Sequence, residues 1–436
     1  MTAAMLAIML VLFALSVPVA VAIGLAAVAG IEFYTRFPLI VAAQQIYVAL
    51  DRFPLAAIPF FILAGNLMEV GGISRRLVEF ARALVGGVQG GLAMTCVLTC
   101  MIFAAISGSS VATPFAIGAI MVPALKRLGY PAAFAGSLQA ASAELGVVIP
   151  PSIPMILYGV ATQTSIPELF IAGFGPGLLI AVVLSVLVLA WCRINGWGSQ
   201  DAEGRHGVIE GTRDAFFALL MPVIVLGGIY GGITTPTEAS VIAVCYALLV
   251  GLVIYRELRL RDLFPVFRKS VITSSVIMFI IATAGLFSWL LNRQGIPDML
   301  ATWLVSVFGS PAMYLLGVNL FLFVVGMFIE TSASIIVLGP ILAPAAAQFG
   351  IDPVHFGAIM VVNLALGMVT PPFGVNLFAA AQVADVGIDR MMRYLPVFIL
   401  AVVACLGVIS YVPALTLFLR DLVYRGSPIR SPTSPC

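Results

Sequence analysis

Residues 145–151 read LGVVIPP, and residues 366–372 read LGMVTPP. The two strings are 221 residues apart (371 − 150 for the prolines), and the residues around them align without a gap. Further matches at this offset pair Gly118, Pro123, Gly129 and Gly136 with Gly339, Pro344, Gly350 and Gly357. Agreement of this kind in one register predicts an internal repeat, with one copy around each pair of prolines.

The composition indicates that lipid is the solvent of most of this chain. Of its 436 residues, 62% are hydrophobic and only 9% are charged, whereas a soluble domain carries about 25% charged residues. Continuous apolar runs, such as residues 178–191 and 216–230, favour helices over the alternating strands of a membrane barrel. We therefore predict an all-α, polytopic membrane protein with about 11 transmembrane helices, counted with a window of about 19 residues.

The positions of the arginines indicate how these spans are oriented in the membrane. Two polar loops, residues 193–214 and 256–269, are rich in arginine and are separated by two apolar segments, so they lie on the same side. Such an excess of arginine and lysine marks the cytoplasmic side of a membrane protein. The turn at residues 234–237 should then be periplasmic. The first basic residue is Arg36, so residues 3–29 are expected to be a retained first span and not a secretory signal.

Charge and residue counts exclude several classes of function. The net charge is +2 with no basic stripe, so nucleic acid is not an expected partner. Six scattered cysteines and two histidines, His206 and His355 in different segments, give no pattern for a transition metal or a histidine-based catalytic centre. We expect no cofactor apart from a coupling ion, and we do not expect an enzyme.

The proline pairs indicate where an ion can bind. Proline has no N–H group, so Pro150 and Pro151 leave the carbonyls of Gly146 and Val147 without a helical partner. The second pair of prolines frees two carbonyls in the same way. Free carbonyls are tolerated at membrane depth only where they line a cavity or meet a partner. A small hard cation such as Na⁺ is one such partner, and Gly146 has no side chain to block it.

A Ser-Gly-Ser-Ser string at residues 107–110 lies between two apolar half-helices and is typical of the tip of a re-entrant hairpin. Residues 328–331, together with Ser334, occupy the equivalent positions in the second copy. Hydroxyls and carbonyls at such tips suit Na⁺, and the N–H groups at the start of a half-helix suit a carboxylate. Serine, threonine and glycine also let membrane helices pack closely, so for any single hydroxyl both roles are open.

Two sets of candidate residues follow. The predicted cation-binding residues are Ser107, Gly108, Ser109, Ser110, Gly146, Ile149 and Pro150 in the first repeat, and Glu330, Thr331, Ser332, Gly367 and Thr370 in the second. The predicted substrate-binding residues are Ser109, Ser110, Thr113, Pro151, Ser152, Pro371, Pro372 and Asn376. Each repeat is thus expected to offer one cation site, with the substrate between them.

Two carboxylates lie in apolar stretches, where a charge is costly and often functional. Glu330, at the second hairpin tip, can either help to bind a cation or hydrogen-bond the backbone of the tip. Glu144, directly before the first Leu-Gly pair, can either sense protons or face a wet cavity beside an arginine. Both alternatives are open for each residue.

Six strings, in order along nearly the whole chain, resemble one known family. They are IPFFILAG at residues 58–65, SGSSVAT at 107–113, IPPSIP at 149–154, TTPTEA at 234–239, GIDPVHFG at 350–357 and GMVTPPFG at 367–374. Together they resemble the large membrane subunit of tripartite ATP-independent periplasmic (TRAP) transporters, the DctM-like proteins. Each string alone is weak, whereas the ordered set is highly specific.

The resemblance implies an elevator-type Na⁺ symporter that carries a small organic acid, such as a C4-dicarboxylate, inward across the bacterial inner membrane. It also implies a periplasmic solute-binding protein that delivers the acid, and a small DctQ-like membrane subunit, expected here on a separate chain. Two positions depart from the family pattern: Glu330 stands where aspartate is usual, and Glu144 where a small or hydroxyl residue is usual. These departures leave the number of ions and any coupling to protons open.

The repeat divides the chain into five parts. We expect scaffold helices and an amphipathic segment in residues 1–91, the first repeat in 92–192, central scaffold helices in 193–310, the second repeat in 311–393, and a last span with a polar tail in 394–436. A stand-alone carboxylate symporter driven by Na⁺ or H⁺ is the alternative function. An intramembrane serine enzyme is disfavoured, because neither histidine is near the tip serines in sequence.

Overall fold

A computed structural model describes residues 1–198 and 207–424, which form helices and no strand. The first half comprises α1 (Thr2–Ala14), α2 (Val19–Tyr34), α3 (Ile40–Leu50), α4 (Ala57–Val70), α5 (Ile73–Val85), α6 (Gly91–Ser107), α7 (Ala112–Ala116), α8 (Gly118–Arg127), α9 (Ala132–Ala143), α10 (Leu145–Val148), α11 (Ile153–Thr162) and α12 (Ile166–Asn195). The second half comprises α13 (Val208–Asp214), α14 (Phe216–Tyr230), α15 (Pro236–Leu249), α16 (Leu260–Arg293), α17 (Ile296–Phe308), α18 (Pro311–Phe328), α19 (Thr331–Gln348), α20 (Pro353–Gly367), α21 (Val375–Ala384), α22 (Ile388–Met391), α23 (Leu395–Tyr411) and α24 (Ala414–Tyr424). A 3₁₀ turn, Phe53–Ala56, leads into α4, and a π turn, Val250–Ile254, continues α15.

Six helical segments in the described part of the chain are long and apolar enough to cross a membrane. Nine spans result if each of three bent helix pairs counts as one. Large apolar side chains on these helices, such as Leu178, Val186 and Leu260, are exposed, as expected where the solvent is lipid. The predicted polytopic helical class is confirmed. The number of spans stays a prediction, because α6 and α20 have only 17 and 15 residues.

The N-terminal segment is a hairpin of two short helices. α1 and α2 pack against each other, and a Cβ on Gly30 would lie 2.6 Å from the sulfur of Met5. The chain reverses between them at Ser16, which has a φ of +59°, and at Pro18, which precedes α2. A helix that continued through this proline would lose a backbone hydrogen bond. The single first span predicted for residues 3–29 is therefore wrong.

The internal repeat is visible in the helix boundaries. Adding 221 to the bounds of α6, of α9 with α10, and of α11 gives 312–328, 353–369 and 374–383. The counterparts α18, α20 and α21 begin and end within two residues of these positions. The same offset relates α5 to α17, so each copy also includes a helix before its hairpin. The predicted repeat is thus confirmed and extends further towards the N-terminus of each copy.

The two copies run in opposite directions across the membrane. Arg76 of α5 forms an ion pair of 2.7 Å with Glu257, so the first copy starts beside the arginine-rich loop that precedes α16. α16 has 34 residues, or about 51 Å at 1.5 Å per residue. It separates that loop from α17, with which the second copy starts. The repeats are therefore inverted, an arrangement found in many secondary transporters.

The helix that opens each copy is bounded by glycines in the left-handed region. Gly72, with a φ of +76°, precedes α5, and Gly90, with a φ of +81°, lies between α5 and α6. Gly295 and Gly309, with φ of +65° and +62°, flank α17. Glycine adopts such angles freely, whereas other residues are strained there. Both helices therefore join the outer helices α4 and α16 to the hairpins through a sharp bend at each end.

The described helices form two groups. α2, α3, α4, α15 and α16 pack on one another, and the hairpins pack with the broken helices, α12 and α23. The broken helix of each copy contacts the hairpin of the other, since α11 packs on α19 and α21 packs on α7 and α8. This reciprocal packing brings both proline breaks into the second group, called the transport group below. The first is called the scaffold group. The predicted boundaries of the five parts stay a prediction.

Candidate functional site

The tip of the first hairpin touches the first proline break. α6 ends at Ser107, and Gly108 follows it with a φ of +61°. The carbonyl oxygen of Gly108 accepts a hydrogen bond of 3.4 Å from the N–H group of Ile153, the first residue of α11. A Cβ on Gly108 would lie 2.6 Å from the carbonyl oxygen of Pro151. The fold thus joins two predicted site segments that are remote in sequence.

Gly146 approaches the same tip from the other side of the break. A Cβ on Gly146 would lie 2.6 Å from the carbonyl oxygen of Ser109 and 2.8 Å from Oγ1 of Thr113. That Oγ1 donates a hydrogen bond of 2.9 Å to the same carbonyl oxygen. Real Cβ atoms essentially never come within 3.0 Å of such neighbours, so only glycine fits here. Two oxygens of the hairpin tip therefore face the broken helix at Gly146.

Ser152 holds the first break together. Ile149 has an extended backbone, and the two prolines after it are joined by a cis peptide bond. The Ser152 hydroxyl donates a hydrogen bond of 2.5 Å to the carbonyl oxygen of Val147 and accepts one of 3.4 Å from the N–H group of Met155. It thus caps α11 and pairs with one of the two carbonyls that the prolines free. The hydroxyl that was predicted to meet substrate is engaged in these two bonds.

Glu330 caps the helix that follows the second hairpin tip. Its Oε2 accepts hydrogen bonds from the N–H groups of Ser332 (2.9 Å) and Ala333 (3.3 Å), and its Oε1 accepts one from the Ser332 hydroxyl (2.9 Å). A carboxylate here also opposes the positive end of the α19 dipole. Of the two predicted roles, hydrogen bonding to the tip backbone is present. Cation binding stays a prediction, for which the carboxylate has lone pairs to spare.

The two hairpin tips converge on Met368, shortly before the second pair of prolines. Oγ1 of Thr331 in the second tip lies 2.9 Å from the Met368 sulfur, and Oγ of Ser110 in the first tip lies 3.8 Å from it. Predicted residues of both repeats therefore meet in one place. The Met368 side chain is not among the predicted site residues. Its place inside the second repeated string is the signal that could have indicated it.

Gly367, the counterpart of Gly146 (146 + 221), makes a different contact. A Cβ on Gly367 would overlap with backbone atoms of Gly326 on α18, and a Cβ on Gly326 would lie 2.9 Å from the carbonyl oxygen of Leu364. The second broken helix therefore packs against the stem of its hairpin, whereas the first packs against the tip. Because these contacts differ, the two repeats do not form identical sites.

The second break is closed by backbone and hydroxyl groups. Oγ1 of Thr370 donates a hydrogen bond of 2.9 Å to the carbonyl oxygen of Leu366. The N–H group of Asn376 donates one of 3.0 Å to the carbonyl oxygen of Met368. The prolines were predicted to leave the Met368 carbonyl without a partner, but the chain beyond them supplies one. The Asn376 side chain takes no part in this bond and is fully buried.

Three uncharged side chains near the tips and breaks have buried polar atoms without a partner among the described residues. Among residues 1–198 and 207–424, the hydroxyl oxygens of Ser107 and Ser334 and both polar atoms of Asn376 are buried and unpaired. Buried polar groups are almost always hydrogen-bonded, so unpaired ones point to a ligand or water. Hydroxyl and amide oxygens are suitable ligands for a hard cation, and the Asn376 amide can also donate to a carboxylate. These groups fit the predicted ion and substrate chemistry.

Glu144 is buried beside the first break. Its side chain is 1% exposed, and neither carboxylate oxygen bonds to a described residue. The ion pairs between described residues do not include it. The arginine expected beside Glu144 is therefore not among its ion-pair partners in the described ranges. A wet cavity beside Glu144 stays a prediction. Proton sensing by Glu144 stays a prediction.

His355 contacts the two C-terminal helices, α23 and α24. Its Nδ1 lies 2.7 Å from Oγ1 of Thr416, and its Nε2 lies 3.3 Å from the carbonyl oxygen of Ser410. The tip serines are not among its partners. In the described ranges, no three His, Cys, Asp or Glu side chains come together as a metal site requires. The second histidine, His206, lies outside these ranges.

Comparison with known proteins gives the family. The family model described as "Tripartite ATP-independent periplasmic transporter, DctM component" matches residues 6–415. The chain belongs to this DctM family. The C4-dicarboxylate TRAP transporter large permease protein DctM of Pseudomonas aeruginosa is 41% identical over 379 residues, which are 87% of this chain and 89% of that protein. The isethionate TRAP transporter permease protein DctMQ of Oleidesulfovibrio alaskensis is 41% identical over 403 residues, which are 92% of this chain and 64% of that protein.

A solved structure supports the fold of this DctM-family chain. The YdaH transporter of Alcanivorax borkumensis matches with a TM-score of 0.54, covering 89% of this chain and 88% of that chain, at 15% sequence identity. The predicted family is confirmed, as is the prediction of a multi-pass transporter subunit rather than an enzyme. Membership of the family also implies a small membrane subunit and a periplasmic binding protein as partners.

Proposed function

We propose that this DctM-family chain is the Na⁺-coupled large permease subunit of a TRAP system that takes up a small organic acid across the bacterial inner membrane. A periplasmic binding protein delivers the acid, and a DctQ-like subunit braces the scaffold group. One observation carries the proposal. Both hairpin tips contact Met368 beside the second break, and the first tip also contacts the first break. On these same segments, Ser107, Ser334 and Asn376 have buried polar atoms without a partner among the described residues.

Each repeat offers oxygen ligands for one Na⁺. In the first, the Ser109 carbonyl and the Thr113 hydroxyl face Gly146, and the Ser107 hydroxyl has no partner among the described residues. In the second, the unpaired groups belong to Ser334 and Asn376, and a carboxylate caps the tip helix. A nearby negative charge attracts a cation directly, more strongly at membrane depth than in water. We therefore expect the second site to bind Na⁺ more tightly than the first.

The acid itself is assigned to the space between the first break and Asn376. The N-terminal end of a helix is positive and binds carboxylates through free N–H groups. The cap of α11 is the neutral Ser152, whereas the cap of α19 is the anionic Glu330, which repels a carboxylate. The N–H groups of Ile153 and Met155 already donate to Gly108 and Ser152, so the start of α11 attracts an anion through its dipole and not through free N–H groups. Because its cap is neutral, it is the better anion site of the two. Ser110 and Thr331 from the two tips, and the prolines of both breaks, would complete the walls.

An elevator motion is supported by unequal covering of two equivalent surfaces. Leu157 on α11 and Ile336 on α19 are 1% and 7% exposed, and α19 packs on α16 of the scaffold group. Their counterparts at the offset of 221, Phe378 on α21 and Phe115 on α7, are 50% and 39% exposed. The scaffold group thus covers the periplasmic face of the transport group and leaves its cytoplasmic face open. If the transport group slid along the scaffold group, its periplasmic face would open and its cytoplasmic face would be covered.

Reconstitution tests the proposal. The chain would be placed in proteoliposomes with its small subunit and binding protein, and uptake of labelled C4-dicarboxylates, sulfonates and sugar acids would be measured. An inward Na⁺ gradient should drive uptake only when the binding protein is present, and an equal K⁺ gradient should not. Na⁺-driven uptake without the binding protein would instead indicate a stand-alone symporter. Uptake driven solely by a pH gradient would refute the Na⁺ assignment and direct attention to Glu144.

A further inference from the structure

A cavity of about 280 Å³ lies between the scaffold and transport groups, apart from the tips and breaks. The scaffold group contributes α3, the 3₁₀ turn and α16, and the transport group contributes α11 and α19. Leu157 and Ile336 in its wall each lie six residues beyond the first break or the second tip, which is about 9 Å along a helix. The cavity is therefore close to the proposed site but separate from it.

The mouth of the cavity is on the periplasmic side. Arg52 precedes α4, whose other end leads into α5 beside the arginine-rich loop. Asn292 lies at the end of α16 that is remote from that loop, and Gln163 lies at the outer end of α11. These three residues line the cavity and are exposed. Its deeper lining residues, such as Leu55 and Leu157, are apolar and buried.

The charge of the cavity favours an anion. Arg52 is its one charged lining residue, and Arg52 forms no ion pair with any residue in the described ranges. Gln45, Gln163 and Asn292 add neutral donors, and no carboxylate of the described residues lines the walls. A guanidinium presents several N–H donors in a fixed fork that matches a carboxylate or sulfonate. An apolar floor below a polar rim is also typical of sites for small organic ligands.

The equivalent cytoplasmic surface has the opposite charge. An open cleft there is lined by Phe115 and Phe378, the counterparts of Ile336 and Leu157. Among the described residues that line it, Asp385 is the one with a charge. A small anion is thus attracted on the periplasmic side of the transport group and repelled on the cytoplasmic side. This difference is not required by the repeat, because Arg52 belongs to the scaffold group.

We propose that the periplasmic cavity is an anion-binding site in its own right, in which Arg52 holds the carboxylate or sulfonate of a solute before the transport group accepts it. The inward direction of this transfer rests on the proposed function, whereas binding to the cavity does not. Gln45, Gln163 and Asn292 position the anion by hydrogen bonds. The apolar floor accommodates the carbon skeleton.

Binding can be measured on the purified chain without Na⁺, binding protein or turnover. The full chain in phosphatidylcholine nanodiscs would be titrated with potassium succinate, and potassium chloride of equal ionic strength would serve as the salt control. Trp289 lines the cavity and packs on Phe37 at 5.5 Å, so its fluorescence reports an occupant. A Trp289→Phe variant should lose the succinate-dependent signal. Isothermal titration calorimetry gives the affinity independently of any tryptophan.

Two charge variants on the same side of the membrane form the comparison. Arg52→Gln should weaken succinate binding about tenfold, because the anion loses a charge-assisted hydrogen bond. Arg293→Gln removes the same charge at the end of α16 but outside the cavity lining, and it should leave the affinity within about twofold. Arg52→Lys keeps the charge without the fork and should fall between them. Binding should also weaken as ionic strength rises.

Equal affinities for the wild type, Arg52→Gln and Arg293→Gln would overturn the proposal. A phospholipid headgroup carries the same anionic chemistry, so the titration would be repeated in phosphatidylglycerol nanodiscs. Unchanged succinate affinity there supports a soluble anion, whereas complete loss of the signal would assign the cavity to lipid and overturn the proposal. Failure of Na⁺-driven uptake alongside normal succinate binding would refute the proposed function and leave this inference intact.

Discussion

Replacing Gly146 by alanine tests whether the contact between the first hairpin tip and the broken helix forms a cation site. The added Cβ would lie 2.6 Å from the carbonyl oxygen of Ser109 and 2.8 Å from Oγ1 of Thr113, where ordinary contacts begin at 3.4 Å. One of these neighbours is backbone, and the other is hydrogen-bonded to it. The tip must therefore move as a unit by 0.8 Å (3.4 − 2.6).

A displacement of this size has a measurable cost. Overpacking of a filled interior costs about 1–3 kcal/mol, and the tip oxygens lose their alignment with any ion held there. We expect the Na⁺ concentration for half-maximal uptake to rise about tenfold, which corresponds to about 1.4 kcal/mol. The loss of thermal stability should be smaller than the overpacking cost alone, since alanine favours the helix more than glycine does. The assay is uptake in proteoliposomes over a series of Na⁺ concentrations, with K⁺ keeping the ionic strength constant.

Gly407→Ala is the matched control. Gly407 is also a helical glycine, but nothing lies within 4 Å of a Cβ added there. That variant should show wild-type Na⁺ dependence and equal or slightly higher stability. A folded Gly146→Ala protein with wild-type Na⁺ dependence would refute the reasoning, because the tip would then have moved without any effect on the ion.

Three further changes test the remaining parts of the site and fold. Asn376→Leu should abolish uptake yet leave the melting temperature unchanged or higher, because a buried unpaired amide destabilises the fold; a large drop in melting temperature would contradict a ligand role. Glu330→Gln should lower stability by about 0.5–1 kcal/mol through the helix dipole and raise the half-saturating Na⁺ concentration; a change in stability alone would leave only the cap. Arg420→Met should cost about 3–5 kcal/mol, since Arg420 is 5% exposed and its guanidinium binds Asp352 at 2.6 Å and Asp421 at 2.8 Å; uptake per folded molecule should be retained in that variant, and its loss would contradict a purely structural role.

The repeat and its helix order could be predicted from sequence because glycine and proline have positional requirements that survive divergence. The LGxxxPP strings fixed the offset, and the helices of both copies follow that offset to within two residues. Contact between the hairpin tips and the proline breaks could also be predicted, since free carbonyls at membrane depth must have partners. The particular pairs, such as Gly108 with Ile153, depend on how the hairpin folds back and carry no signal in either string.

Two kinds of detail could not be predicted. Residues 3–29 are apolar throughout, so hydropathy does not distinguish one span from the hairpin that Ser16 and Pro18 make of them. Which group a hydroxyl bonds to likewise depends on the tertiary structure. Ser152 and Ser107 are both serines beside a helix end, yet the first is satisfied by Val147 and the second is left unpaired. Composition and spacing treat the two alike.

The two inverted copies have nearly the same backbone but different charges, and this difference bears on the proposed symport of an anion. The ion gradient sets the direction of transport, so fixed charges can change only the affinity on each side. Glu330 on the tip of the second copy opposes a carboxylate there and favours a cation, whereas Ser152 adds no negative charge at the start of α11. Arg52 and Asp385 extend the same separation to the two openings. On the proposed function, these unlike charges at positions that the repeat does not relate would let one repeated fold bind the ion and the acid side by side.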